Sequence, residues 1–168
     1  MQSPQTHPTQ TPTVQDAHAR SLQLAAEAYL AHSHPRAPLR LDRVNLHGVV
    51  YRSAPDPAAL RLNRPLAEEV VMVALAAGEA AALSGAGAMT AGRDARMLLS
   101  CALTDPDELD TLDAYLGVLR GRARSRLRRA WSEVEVLAAG LREHGELDAA
   151  QVAHRVACAQ GIRASLLN

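Results

Sequence analysis

The chain has 168 residues, 48% of them apolar, and a formal net charge of zero with a pI near 7.1. That length makes one domain the expectation, and the neutral balance excludes a chain-wide electrostatic attraction to nucleic acid or membrane. With no Phe, one Trp and three Tyr, the core must be filled by Ala, Leu and Val, which favours close-packed helices over an aromatic-rich β-sandwich.

Residues 1–15 open with MQSPQTHPTQTPTV, a Gln, Thr, Pro and Ser stretch with too little to bury to offset its ordering entropy. They are expected to form a disordered arm, with His7 solvated. A single helical domain is expected over 16–160, with a tail over 161–168. Asp16 is placed to cap a first helix over about residues 16–32, in which Leu22, Ala25, Ala26, Tyr29 and Leu30 share one face. His32-Ser33-His34-Pro35 ends it.

Leu39, Leu41, Val44 and Leu46, then Gly48, Val49, Val50 and Tyr51, predict two short strands around His47-Gly48, as a hairpin or part of a three-stranded sheet. Ser53 to Pro57 breaks the sheet. A helix is predicted from Asn63 or Pro65 to about Ser84, with Pro65, Glu68 and Glu69 in its first turns and Gly85-Ala86-Gly87 as its stop. Thr90 is placed to cap the next helix, over about 91–103, with Asp94 in its first turn. Thr104-Asp105-Pro106 is a further start signal. A long helical region is predicted over 106–144, weakened at Gly121 and Gly140 and ended at Gly145. Leu147-Asp148 opens a last helix with Val152 and Val156 inward.

Several residues carry potential chemistry. Arg120, Arg122, Arg124, Arg126, Arg128 and Arg129 form the one dense charge cluster; every basic residue of the chain is Arg, so part of this is compositional. The cluster reads as a solvated face paired with Asp107, Glu108 and Asp110, or as a phosphate-contacting face that binds nucleic acid without sequence preference. No aromatic residues interleave it, which argues against base stacking. Cys101 and Cys158 lie far apart in apolar helical contexts and are expected to be buried free thiols. His144 reads as a helix-end cation and His154 as a surface side chain. Ser84-Gly85-Ala86-Gly87 lacks the Lys-Ser/Thr of a phosphate loop and is expected to be a turn. The sequence has no membrane-length apolar run and no charged-then-apolar leader, so a cytoplasmic location is expected, without membrane contact.

Three segments and their order resemble the peptidase domain of FtsH-type metallopeptidases and their small stand-alone relatives, over about residues 17–157. Arg43 to Tyr51 (RVNLHGVVY) is similar to the family's sheet segment. Thr90 to Asp94 is similar to its T-G-x-x-x-D segment, one residue short. Trp131 to Val156, with Leu147-Asp148-Ala149-Ala150-Gln151-Val152, is similar to its closing helices. The resemblance implies a mainly α fold with a small sheet.

It also implies a zinc site built on His-Glu-x-x-His in the first helix, where the i, i+4 spacing brings both imidazoles to one metal and the Glu activates its water. This sequence departs from that pattern. Counting back from Ala26-Glu27-Ala28-Tyr29-Leu30, the motif falls on Arg20-Ser21-Leu22-Gln23-Leu24, with neither histidine nor the Glu; His18 has Leu22 at i+4. Asp94 falls near the third ligand and is a vestigial candidate, or a helix N-terminal carboxylate. His32, His34 and His47 are the histidines a rebuilt site would draw on. The expectation is therefore a chain with no catalytic residues, metal or cofactor. It would act by binding a protein partner or itself, with nucleic-acid binding or an active hydrolase with an unrecognised site as alternatives.

Overall fold

The computed structural model describes residues 13–87 and 92–166. Its elements, in order, are α1 (Val14–His32), β1 (Leu41–Asn45), β2 (Gly48–Tyr51), α2 (Pro57–Leu62), α3 (Arg64–Ser84), α4 (Ala95–Ala102), α5 (Pro106–Asp110), α6 (Leu112–Arg129), α7 (Trp131–His144), β3 (Glu146–Asp148) and α8 (Ala149–Leu166). The fold is mainly α with one small antiparallel sheet, as composition and patterning predict. Among the described residues, no helix is long and apolar enough to cross a membrane.

Helix α1 is the centre of the molecule. It packs on α3 on one side and α7 on the other, and it also meets the sheet and α8. Leu24, Ala25, Ala26, Ala28, Leu30 and Ala31 on α1 are almost wholly removed from water. The alanines explain the closeness: a helix surface with few large side chains lets neighbours approach, and Leu99, Leu119, Leu127, Leu137 and Leu141 fill the gaps from the surrounding helices.

Local chemistry sets most helix ends. Thr13, not Asp16, is the N-cap of α1, with Asp16 at the third helical position closing a reciprocal capping box. The expected arm therefore ends two residues early; its residues 1–12 lie outside the described residues. Helix α2 is an addition to the predicted elements, although Asp56 as cap and Pro57 in the first turn encode it. Asn63 caps α3, which stops at Gly85 in the left-handed region (φ 69°). Because α3 starts at Arg64, Glu68 and Glu69 fall past its first turn and face other elements instead. Residues 106–144 are helical but broken twice, at Thr111 and at Ala130, so they form α5, α6 and α7. The expected tail over 161–168 continues α8 as far as Leu166.

The sheet has the order β2-β1-β3. Val44 pairs with Val49 in the hairpin and with Leu147 on its other side. Asn45 closes the hairpin turn by accepting from the His47 and Gly48 amides at 2.9 and 3.1 Å. Leu147-Asp148, read as a helix start, is the third strand; Asp148 still caps α8, accepting from the Gln151 amide at 2.8 Å.

Candidate functional site

Gln23 and Glu27, four residues apart, form a buried polar stripe on α1, and Ser21 is buried on the opposite side of the helix; each of the three is at most 5% exposed. Buried polar groups need partners, and each has one. Ser21 Oγ accepts from Arg142 at 2.9 Å and donates to the His18 carbonyl at 2.7 Å. Gln23 Nε2 donates to the Gly87 carbonyl at 2.9 Å, tying α1 to the end of the α3 turn. Glu27 Oε1 accepts from the Tyr51 hydroxyl at 2.7 Å, tying α1 to β2. Arg93 lies over the other side of Tyr51, its guanidinium carbon 3.8 Å from the ring centroid.

The electrostatics of this trio follow from burial. Loss of water pushes the Glu27 carboxyl above its usual range, and the Tyr51 hydroxyl and the Arg93 charge offset only part of that. Burial and the neighbouring Glu27 push the Tyr51 hydroxyl well above its usual value. Burial thus favours the neutral, protonated form of each group. Arg93 Nη1 is buried without a hydrogen-bond partner, so the cluster keeps an unused donor.

Two concavities flank this stripe and share His47. The larger, about 820 Å³, lies between the first half of α1, the hairpin turn at Leu46-His47 and Ser84 to Gly87. The smaller, about 570 Å³, lies between Glu27, strand β2 and Gly92-Arg93. Strand β2 is an edge strand and forms one wall of the second.

The segment Arg20 to Leu24, where the FtsH-type resemblance would put a zinc motif, is tied into the fold by Arg20 Nε donating to the Leu46 carbonyl and by Ser21 and Gln23. Gln23 and Glu27 stand four residues apart on the same buried face, one turn further along than the counted position. They have the i, i+4 spacing of two metal ligands but not the chemistry: one is an amide, and the other is a carboxyl that burial drives toward its neutral form. Asp94 is exposed and caps α4, accepting from the Arg96 and Met97 amides at 2.9 and 3.1 Å. That is the helix N-terminal role, as N-cap rather than in the first turn. The proposed Thr90 cap lies outside the described residues. His32 and His34 lie at the far end of α1, and His47 is exposed on the hairpin turn; no group of three or more His, Cys, Asp or Glu among the described residues is arranged to hold a metal. The residues present do not fit a zinc ion.

The structure divides the arginine cluster. Arg122 donates to Glu68 at 2.6 Å and Arg124 to Glu79 at 2.7 Å, both on α3. Arg126 meets the His34 ring and Arg129 donates to Ser125 Oγ at 2.9 Å. Arg120 and Arg128 are exposed with no ion pair among the described residues. The acids near in sequence are not the partners: Glu108 pairs with Arg64, and Asp107 and Asp110 pair with none of the six. Sequence proximity misleads because Asp107 to Asp110 form a separate short helix, while α6 packs along α3. The thiols also differ from expectation: Cys101 is partly exposed and Cys158 exposed, and neither is in a disulfide.

Sequence reasoning misses Glu27 as a functional candidate because it sits inside a packing segment, Ala26 to Leu30. A signal is available: a charged residue at i+4 from Gln23 on the apolar face of α1 must be buried with a partner. No protein-family model matches the chain, and no curated protein aligns with it.

Proposed function

We propose that the chain is a non-hydrolytic, peptidase-like scaffold of the FtsH type that holds an extended segment of a partner protein in the cleft along α1. The observation that carries this reading is the cleft: two adjoining concavities, walled by an edge strand, whose deep polar residues are tied to the fold rather than arranged as a metal site. An extended peptide pairs readily with an exposed strand edge, taking affinity from main-chain hydrogen bonds and selectivity from adjacent pockets. Leu22 and Leu46 supply apolar surface in the larger concavity.

The test uses the full chain and an unfolded, carboxymethylated protein as ligand. Binding is expected, with slowed amide exchange along Val49 to Tyr51, no cleavage and no stoichiometric zinc. Leu46→Glu, on an exposed turn, is expected to abolish binding without unfolding the chain. One tightly bound zinc per chain, with cleavage of the ligand lost in Glu27→Gln, would overturn the reading and favour a hydrolase with a site not recognised in the sequence.

A second reading has one observation in its favour. Arg120 and Arg128 remain exposed on α6 without carboxylate partners among the described residues, as a phosphate-contacting face requires. Arg122 and Arg124 are already engaged by Glu68 and Glu79, so that face is narrower than the sequence implies. A salt-sensitive gel shift abolished by Arg120→Ala and Arg128→Ala together would support it; no shift at low ionic strength would remove it.

A further inference from the structure

A separate pocket of about 270 Å³ lies on the arginine face, where the end of α1 meets the α6–α7 junction and the last turn of α8. Arg126, Arg129 and Arg163 all line it, together with Ser33 and Ala130. Three guanidinium groups repel one another, so their convergence needs both holding groups and a reason.

The holding groups are present. Arg126 Nη1 meets His34 Nε2, while His34 Nδ1 faces Glu69 Oε1 at 3.4 Å. Burial holds His34 below its usual range against the pull of Glu69, so near neutral pH the ring accepts from Arg126 rather than repelling it. Arg129 Nη2 donates to Ser125 Oγ at 2.9 Å. Arg163 donates to the Arg129 carbonyl at 2.7 Å and pairs with Glu133 at 3.0 Å, a carboxylate wholly removed from water. Each guanidinium carries five N–H donors, so each keeps donors after these contacts.

The junction itself adds to the field. Helix α7 has Ala130 as its N-cap residue, whose side chain has no oxygen, so the amides of its first turn receive no side-chain cap. Three of the carbonyls that end α6 are occupied: Arg126 and Leu127 accept from the Ala130 amide, and Arg129 accepts from Arg163. The pocket lining carries three cations and no carboxylate; Glu133 pairs with Arg163 from beneath, and Glu69, itself paired with Arg36, lies behind His34.

We propose that this pocket is a binding site for a phosphate dianion carried on a small phosphomonoester. Guanidinium groups match phosphate oxygens in geometry and charge, three of the seven lining residues carry one, and the pocket is larger than a single phosphate group. The site lies at the C-terminal end of α1 and shares no lining residue with the two concavities of the cleft, so it stands or falls independently of the peptide-holding reading.

Trp131, the only tryptophan, comes directly after Ala130 and gives a fluorescence readout. Titration of the full chain with inorganic phosphate and with phenyl phosphate is expected to change that signal saturably, with a Kd on the order of 1 mM or tighter and phenyl phosphate the stronger ligand. Arg126→Ala and Arg129→Ala are each expected to weaken binding about tenfold, as loss of one charge-assisted contact does. Arg163→Ala is avoided because it strands Glu133, and Arg163→Lys is expected to weaken binding severalfold while the chain stays folded. Arg120→Ala is the control and should bind as the parent does. A flat titration up to about 50 mM overturns the proposal. So does an equal loss in Arg120→Ala, which would mark diffuse attraction to the α6 surface, or binding of duplex DNA without phosphate binding.

Discussion

The cleft and the arginine face both bury glutamates in the same small protein, but they treat them differently. In the cleft, Glu27 is met by a neutral hydroxyl, with Arg93 stacked on the far side of that ring, and its carboxyl is pushed toward the protonated form. On the arginine face, Glu79 and Glu133 are each met directly by a guanidinium, Arg124 at 2.7 Å and Arg163 at 3.0 Å. A directly paired carboxylate works as a cross-link between helices. A carboxyl held by a hydroxyl carries no such charge pairing and is left to the effect of burial. The contrast separates structural arginines from available ones: Arg122, Arg124 and Arg163 hold α6 and α8 to the fold, while Arg120 and Arg128 do not.

Removing a structural arginine should test that contrast most severely. Arg163→Ala leaves Glu133 buried without its cation and is expected to cost about 3 kcal/mol or more, read as a lower urea midpoint at unchanged slope. Arg120→Ala should stay within about 0.5 kcal/mol of the parent, as an exposed, unpaired side chain does. If Glu133→Leu combined with Arg163→Ala restores most of the loss, the cost lies in the stranded charge rather than in packing.

In the cleft, Tyr51→Phe removes the donor that Glu27 relies on. The expected loss is about 1–3 kcal/mol, and the Glu27 carboxyl should titrate still higher, measured by NMR of its side-chain carbon. An unchanged titration would mean that burial, not the Tyr51 hydroxyl, governs Glu27.

The pH dependence of stability sharpens the same point. Glu27 has a folded value raised above the ordinary 4.5, so its contribution is complete below 4.5 and is lost as pH rises through the folded value. His32 and His34 have folded values lowered from 6.5, so theirs is complete above 6.5 and lost as pH falls through those values. Glu27→Gln should therefore flatten the decline on the rising side and leave the histidine-driven loss on the acid side, as measured by urea melts across pH. A parent whose rising-side decline survives Glu27→Gln would assign it elsewhere.

The smallest effect belongs to Asp94. As a helix cap, Asp94→Ala should cost about 1 kcal/mol, and Asp94→Ser should recover most of it. A loss of bound metal in either variant would return Asp94 to the role of ligand.

Legibility in the sequence tracks the range of the interactions. The stops of α1 and α3, the hairpin at His47-Gly48 and the start at Asp105-Pro106 are readable because each is set by residues within a few positions of one another. Gly140 reads only as a weak point inside a helix. Its actual role is steric: a Cβ there would lie 2.7 Å from the Arg155 guanidinium, so the glycine lets α8 lay that side chain across α7. Nothing near residue 140 announces this, because the neighbour arrives from another helix. The same holds for Leu147, whose strand exists only because β1 offers it a partner.

The sequence by itself determined a mainly helical fold, its hairpin and the absence of a His-Glu-x-x-His motif, because these rest on local spacing and on residue identity. Only the tertiary structure decided that Gln23 and Glu27 share a buried stripe beside β2, that the α6 arginines divide between Glu68, Glu79 and solvent, and that Arg126, Arg129 and Arg163 meet in one pocket. Those outcomes join residues far apart in the chain, as His34 and Arg126 are at 92 positions. They depend on how the alanine-rich α1 packs between α3 and α7, and short-range pattern carries no record of that packing.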